Sequence, residues 1–271
     1  MNRSTLIQAI QEKNSMLCVG LDTDWNLLPE HLKQRPNGLV EFNRAIIEAT
    51  QAHCVAYKVN TAFYEALGAR GWDALEETCE LIPETHIKIA DAKRADIGNT
   101  SAQYARAFFE RLQFDAITVA PYMGEDSLRP FLDYPNKWTI VLGLTSNPGA
   151  ADFELCKMEN GAPLYERVLS TVSQWGSTEN LMFVTGATRP EQLSEIRKIV
   201  PDHFLLVPGV GAQGGDLQGV IKHGKNQDGG LLINASRSII YASSSEDFAE
   251  KAGMEAKLLT ESMQSIISEL N

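Results

Sequence analysis

The segment Asp91-Ala92-Lys93-Arg94-Ala95-Asp96 puts two carboxylates and an ammonium within six residues. Side chains on a strand alternate with a period of two, so Asp91 and Lys93 share one face if the segment is extended. The run Lys58-Val59-Asn60 repeats the pattern with Lys58 and Asn60, and Cys18-Val19-Gly20-Leu21-Asp22 ends in a further acid. Asp22, Lys58, Asp91 and Lys93 would then stand together at one mouth with alternating signs. Such charges cost several kcal/mol each to desolvate unless they pair, and that cost favours a chemical role over a purely structural one. Asp91 and Asp96 also form a carboxylate pair that could hold Mg²⁺, although Lys93 between them competes as counter-charge.

Two later segments carry a different signal. Val207-Pro208-Gly209-Val210-Gly211-Ala212-Gln213-Gly214-Gly215-Asp216 is dense in glycine, and Asn234-Ala235-Ser236-Arg237-Ser238 supplies a guanidinium. Glycines let backbone N–H groups approach an anion, and an arginine fork binds phosphate in bidentate fashion. The polar, glycine-rich stretch from Gly211 to Gly230 reads as a mobile lid. Gly143-Leu144-Thr145-Ser146-Asn147-Pro148-Gly149 offers hydroxyl and amide groups and reads equally as a plain turn. After Asp96, the residues Ile97-Gly98-Asn99-Thr100 look like a turn into a helix, with Asn99 or Thr100 as its cap. His31, His53, His86, His203 and His223 lack metal-ligand spacing, so no metal site is expected.

The elements that position these residues alternate along the chain. Strands are expected near Leu17–Leu21, Val55–Val59, Ile87–Ala90, Ala116–Ala120, Thr139–Leu144, Leu181–Val184, Leu205–Val207 and Leu231–Asn234. Helical spacing covers Leu39–Thr50, Trp72–Leu81, Ser101–Leu112, Leu164–Trp175, Pro190–Ile199 and about Ser245–Leu270. Eight strands alternating with helices imply parallel pairing through right-handed crossovers. An open doubly wound sheet usually carries a glycine fingerprint after its first strand, and none follows Asp22. The expected fold is therefore an α/β (β/α)8 TIM barrel, one domain over residues 1–271, with chemistry at the C-terminal ends of the strands.

Composition sets the outer limits. The 271 residues are 44% hydrophobic and 22% charged, which suits a soluble globular protein. A net charge of −11 argues against nucleic acid as partner. Cys18, Cys54, Cys79 and Cys156 form no short-spaced pair and read as free thiols in a reducing cytosol. There is no signal-peptide pattern at the start and no apolar run long enough to span a bilayer, so a cytoplasmic location is expected and no membrane partner.

The string from Asp91 through Thr100 closely resembles the signature of the orotidine 5′-phosphate decarboxylases, which catalyse the last step of UMP synthesis. Gly20-Leu21-Asp22, Lys58-Val59-Asn60, Pro208-Gly209-Val210-Gly211 with Gln213, and Arg237 extend the likeness over nearly the whole chain, which is similar to the longer bacterial branch. The resemblance implies Lys93 as proton donor to C6 of the pyrimidine, with Asp91, Asp96 and Lys58 completing a charged network. It implies Asp22 and Lys58 on the ribose hydroxyls, Ser146 on the pyrimidine, and Gln213 and Arg237 on the phosphate; Asn60 and Pro208 count with the substrate-binding residues. It also implies a homodimer in which Asp96, Ile97 and Thr100 reach into the partner's site, and no cofactor. One departure is Ser236, where the family often has Gly before the arginine. A side chain there is expected to narrow the phosphate pocket. Asp-x-Lys-x-x-Asp alone is shared with related Mg²⁺-dependent sugar-phosphate lyases, and a catalytically silent phosphometabolite-binding barrel is a third reading.

Overall fold

In the computed structural model, which describes residues 1–186, 189–209 and 216–270, eight parallel strands close into a barrel in chain order. They are β1 (Leu17–Gly20), β2 (Ala56–Asn60), β3 (Ile87–Arg94), β4 (Ala116–Val119), β5 (Trp138–Leu144), β6 (Leu181–Thr185), β7 (Phe204–Pro208) and β8 (Leu231–Ala235). Closure is made by β1 against β8, with Cys18 opposite Asn234. Every strand lies within a few residues of its sequence-predicted position. The largest difference is β3, which runs four residues past Ala90.

Burial explains why these segments become strands. β4, β6 and β8 are buried along their whole length, and strands covered on both faces read as near-continuous apolar runs. The helices that cover them use amphipathic spacing. Helix Gly38–Thr50 buries Leu39, Val40, Phe42, Asn43, Ile46, Ile47 and Thr50, and it packs against the terminal helix Phe248–Leu270.

Among the described residues, three helices of eight or more residues lie outside the predicted spans. Arg3–Lys13 is capped by Asn2, whose side chain accepts from the Thr5 N–H. It closes the N-terminal end of the barrel, where Lys13 Nζ donates to the carbonyls of Gln51 and Cys54 at 2.7 and 2.8 Å. Glu125–Leu132 buries Leu128, Phe131 and Leu132. Leu217–Gly224 lies within the stretch read as a lid, of which residues 211–215 are outside the described residues: Asp216 caps this helix through the Gly219 N–H, and Val220 and Ile221 are buried. The apolar positions 217, 220 and 221 gave a helical signal that the surrounding glycines obscured.

The segment after β3 differs as well. Its helix starts at Gly98, with Ile97 at the N-cap and no side-chain cap, so Asn99 and Thr100 lie inside the first turn. From Arg106 to Arg111 the helix widens into π geometry, a form that frequently accompanies functional segments.

Candidate active site

The C-terminal ends of the strands enclose a cavity of about 290 Å³ lined by charged, polar and apolar residues from seven of the eight strands and the loops after them. Its apolar part is Leu142, Val184 and Leu206, from β5, β6 and β7. The polar wall begins on β1 and β2. Leu21 N–H donates to the Lys58 carbonyl at 2.8 Å, which carries the chain past β1 and brings Asp22 beside Lys58. Lys58 Nζ donates to Asp22 Oδ1 at 3.2 Å and to Asp91 Oδ2 at 2.9 Å. Lys93 Nζ donates to Asp91 Oδ1 at 2.5 Å. The expected alternation of charge is therefore a continuous chain, Asp22–Lys58–Asp91–Lys93, over three adjacent strands.

Its electrostatics follow from burial and pairing. Burial alone would raise the Asp91 carboxyl, but the Lys58 and Lys93 ammoniums and their hydrogen bonds hold it well below the usual carboxylate range. Burial opposes the charge on Lys58, yet Asp91 and Asp22 outweigh it and keep the ammonium above an ordinary lysine. Both groups therefore stay ionised across the physiological range.

Period two alone does not account for Lys93. Ala90 pairs with Ile117 and Arg94 with Val119, so Asp91, Ala92 and Lys93 stand opposite Thr118 alone. This bulge places Lys93 at φ 45°, in the left-handed region that side chains other than glycine seldom adopt. Arg94 secures the far side: its Nη1 donates to the Ala92 carbonyl at 2.9 Å, its Nη2 pairs with Glu65, and its guanidinium lies over the Tyr104 and Phe108 rings.

On the other side of the cavity, Asn147 and Ser146 follow β5, and Pro208 and Gly209 close β7. The loop after β5 is tied down by Glu154, which accepts from the Thr145 N–H at 2.6 Å and the Thr145 hydroxyl at 2.8 Å. Ser236 does not cap the short helix Arg237–Ile240 with its side chain. It leans toward β1 instead, where a Cβ on Gly20 would lie 1.9 Å from Ser236 Oγ. Asn234 Nδ2 donates to that Oγ at 3.2 Å. The expected narrowing of the phosphate pocket is thus offset in part, because Ser236 uses space that Gly20 leaves empty. Arg237 lines the same cavity, is exposed, and has no ion pair among the described residues.

The family model for "Orotidine 5′-phosphate decarboxylase / HUMPS family" matches residues 15–252, the stretch that holds the whole barrel. The chain belongs to this family. An orotidine 5′-phosphate decarboxylase from Phocaeicola vulgatus is 54% identical over 270 residues, spanning 98% of this chain and 99% of that protein. The solved Leishmania donovani OMP decarboxylase is 35% identical with a TM-score of 0.81, covering 96% of this chain and 99% of that one. The Leishmania donovani UMP synthase is 37% identical with a TM-score of 0.82 over 94% of this chain, which spans only 56% of that longer protein.

Against this orotidine 5′-phosphate decarboxylase / HUMPS framework, the sequence-predicted residues separate into two groups. Asp22, Lys58, Asn60, Asp91, Lys93, Ser146, Pro208 and Arg237 all line the cavity. Asp96, Ile97 and Thr100 do not: Asp96 Oδ1 accepts from its neighbour Ile97 N–H at 2.8 Å, and the Ile97 side chain is 60% exposed. Gln213 lies outside the described residues. Sequence reasoning missed Thr118, Asn234 and Glu154. Thr118 and Asn234 sit at inward strand positions and were legible by register; Glu154 reaches the loop after β5 from an irregular segment with no periodic signal.

Proposed function

We propose that the chain decarboxylates orotidine 5′-monophosphate to UMP, with Lys93 as the proton donor. The observation that carries the proposal is the unbroken charge chain from Asp22 to Lys93 at the cavity wall. The bond from C6 to the carboxylate breaks, CO₂ leaves, and the electron pair stays on C6 with no adjacent carbonyl to delocalise it. The Lys93 ammonium stabilises that charge and then transfers its proton to C6; solvent returns a proton to the amine. Asp91 accepts from both lysines and so aims Lys93. Asp22 and Lys58 would hold the ribose hydroxyls, Asn60 would line the same wall, and Ser146 would meet the pyrimidine. Arg237 and Gln213 would take the phosphate, and Pro208 would line the substrate pocket. Binding energy from that remote phosphate can then be used to organise the reacting end.

The reading includes a homodimer in which Asp96, Ile97 and Thr100 complete the partner's site. What supports this is exposure: Ile97 at 60% and, in the neighbouring loop after β4, Tyr122 at 91% and Met123 at 45%. Exposed large apolar side chains on adjoining loops suit a contact surface. Lys93 is half exposed in the single chain and, among the described residues, pairs with Asp91 alone, which leaves room for a second acid. A single domain over 1–271 and a cytoplasmic location belong to the same proposal. Among the described residues no helix is long and apolar enough to cross a membrane.

The test is loss of orotidine 5′-monophosphate followed by ultraviolet absorbance, with and without EDTA. Turnover that survives EDTA is expected; turnover that requires Mg²⁺, or acts on a sugar phosphate instead, would move the assignment to the family's other lyases. Lys93→Ala should lower kcat by at least about three orders of magnitude, since general acid and electrostatic contributions act together, while UMP binding stays measurable. Near-normal turnover by that variant would sink the mechanism.

A further inference from the structure

The three residues of β3 that oppose a single residue of β4 leave a gap in the backbone ladder. A buried amide without its ladder partner needs another acceptor. The Lys93 N–H has such a position and donates to the Thr118 hydroxyl at 2.9 Å. The same hydroxyl donates its own proton to Asp91 Oδ1 at 3.0 Å, the oxygen that also accepts from Lys93 Nζ. Thr118 is 1% exposed, and β4 holds it on both sides through pairing with β5. Its rotamer is restricted by the branched Cβ, so the hydroxyl is a rigid point.

We infer that Thr118 is a positioning residue for the decarboxylation: one hydroxyl fixes both ends of the Asp91–Lys93 pair. It accepts from the backbone of Lys93 and donates to the carboxylate that orients the Lys93 side chain. The chemical requirement follows from the geometry. Lys93 sits at φ 45°, a conformation that relaxes unless its surroundings hold it. With the hydroxyl absent, the amide loses its acceptor and Asp91 Oδ1 loses one of its two donors. The ammonium then has more freedom about the position it must hold against C6. Displacement of a reacting group by about 1 Å costs rate rather than binding, on the order of a hundredfold.

The inference rests on the proposed decarboxylase activity, and its test separates the two. Thr118→Val and Thr118→Ala both remove the hydroxyl but differ in volume; Thr118→Ser keeps it and loses the methyl. Val and Ala variants are expected to lose kcat by about 10- to 100-fold. Their KM and UMP affinity should stay within about threefold, because Thr118 acts through Lys93 rather than on bound ligand. The Ser variant should keep kcat within about threefold of wild type. Variants ranked by side-chain volume instead of by hydroxyl, or a Val variant with wild-type kcat, would overturn the inference while leaving the activity assignment intact. A crystal structure of Thr118→Val gives a reading independent of turnover. Lys93 is expected to leave positive φ or to lose its contact with Asp91, and an unchanged Lys93 refutes the assignment even if the wild-type chain proves inactive on orotidine 5′-monophosphate.

Discussion

At the scale of single residues, Ser236 shows how a departure from a family pattern can be compensated by its neighbour. Its hydroxyl occupies the place of the Cβ that Gly20 lacks, and Asn234 holds it there. The pair is therefore coupled, and substitutions on the two sides should not add. Gly20→Ala is expected to destabilise the fold by about 1–3 kcal/mol through overpacking. Ser236→Gly should lose about 1 kcal/mol through the amide left without its partner. In the double variant most of the Gly20→Ala penalty should disappear, a coupling measured by urea unfolding of all four proteins. Additive losses would show that Ser236 does not pack against Gly20. Arg237→Ala belongs to the same neighbourhood but tests the ligand. UMP affinity should fall by at least about tenfold, on the scale of charge-assisted hydrogen bonds, and uridine affinity should hardly change. Equal losses for the two ligands would remove the phosphate from Arg237.

At the scale of elements, much of the site was legible because strand period and barrel direction are strong rules. Lys58, Asn60 and Asp91 needed only alternation and the knowledge that chemistry collects at strand C-termini. The Lys93 bulge was not legible. Alternation puts Lys93 on the right face, but the extra residues opposite Thr118 depend on the register between β3 and β4, which alternation along one strand does not set. A threonine inside an apolar run also reads simply as a good strand former. The helices at Arg3–Lys13 and Leu217–Gly224 were legible in principle, since each has an acceptor side chain at its cap and apolar residues at i, i+3 and i+4. Glycine density drew attention away from the second.

The opposite ends of the same elements carry a pH dependence unrelated to catalysis. His86, at the start of β3, lies 2.7 Å from Lys13 Nζ; burial and that ammonium lower it to about 4. His203, just before β7, is lowered to about 4 by burial and by Arg3 and Arg197. Both are neutral in the folded chain, whereas the unfolded chain takes up protons below about pH 6.5. Their contribution is therefore complete above about 6.5 and is lost as pH falls from there toward 4, on the order of 3 kcal/mol each. Urea midpoints should drop steadily between pH 7 and 5, and His86→Gln with His203→Gln should flatten that slope. A midpoint independent of pH in the wild-type chain would contradict the burial of both rings.

At the scale of the whole molecule, the proposed dimer assigns Asp96, Ile97 and Thr100 to the partner's site. These three residues do not line their own cavity, and Ile97 is exposed, as are Tyr122 and Met123 in the loop before Glu125–Leu132. Helix Gly98–Ala105 packs on Glu125–Leu132, so the two exposed loops are carried on adjoining supports. In the proposed two-fold dimer, the Asp96 of each subunit acts with the Lys93 of the other. The arrangement makes a prediction that dilution alone does not. Lys93→Ala and Asp96→Ala, each nearly inactive alone, should recover activity when unfolded together and refolded as a mixture. Random pairing makes half the dimers mixed, and each mixed dimer has one site with both Lys93 and Asp96 intact, so about a quarter of wild-type activity is expected. If Asp96 instead served the cavity of its own chain, every site in the mixture would carry one lesion. Activity would then stay at the level of the single variants, and the proposed shared site would be excluded while Lys93 and Asp91 kept their roles.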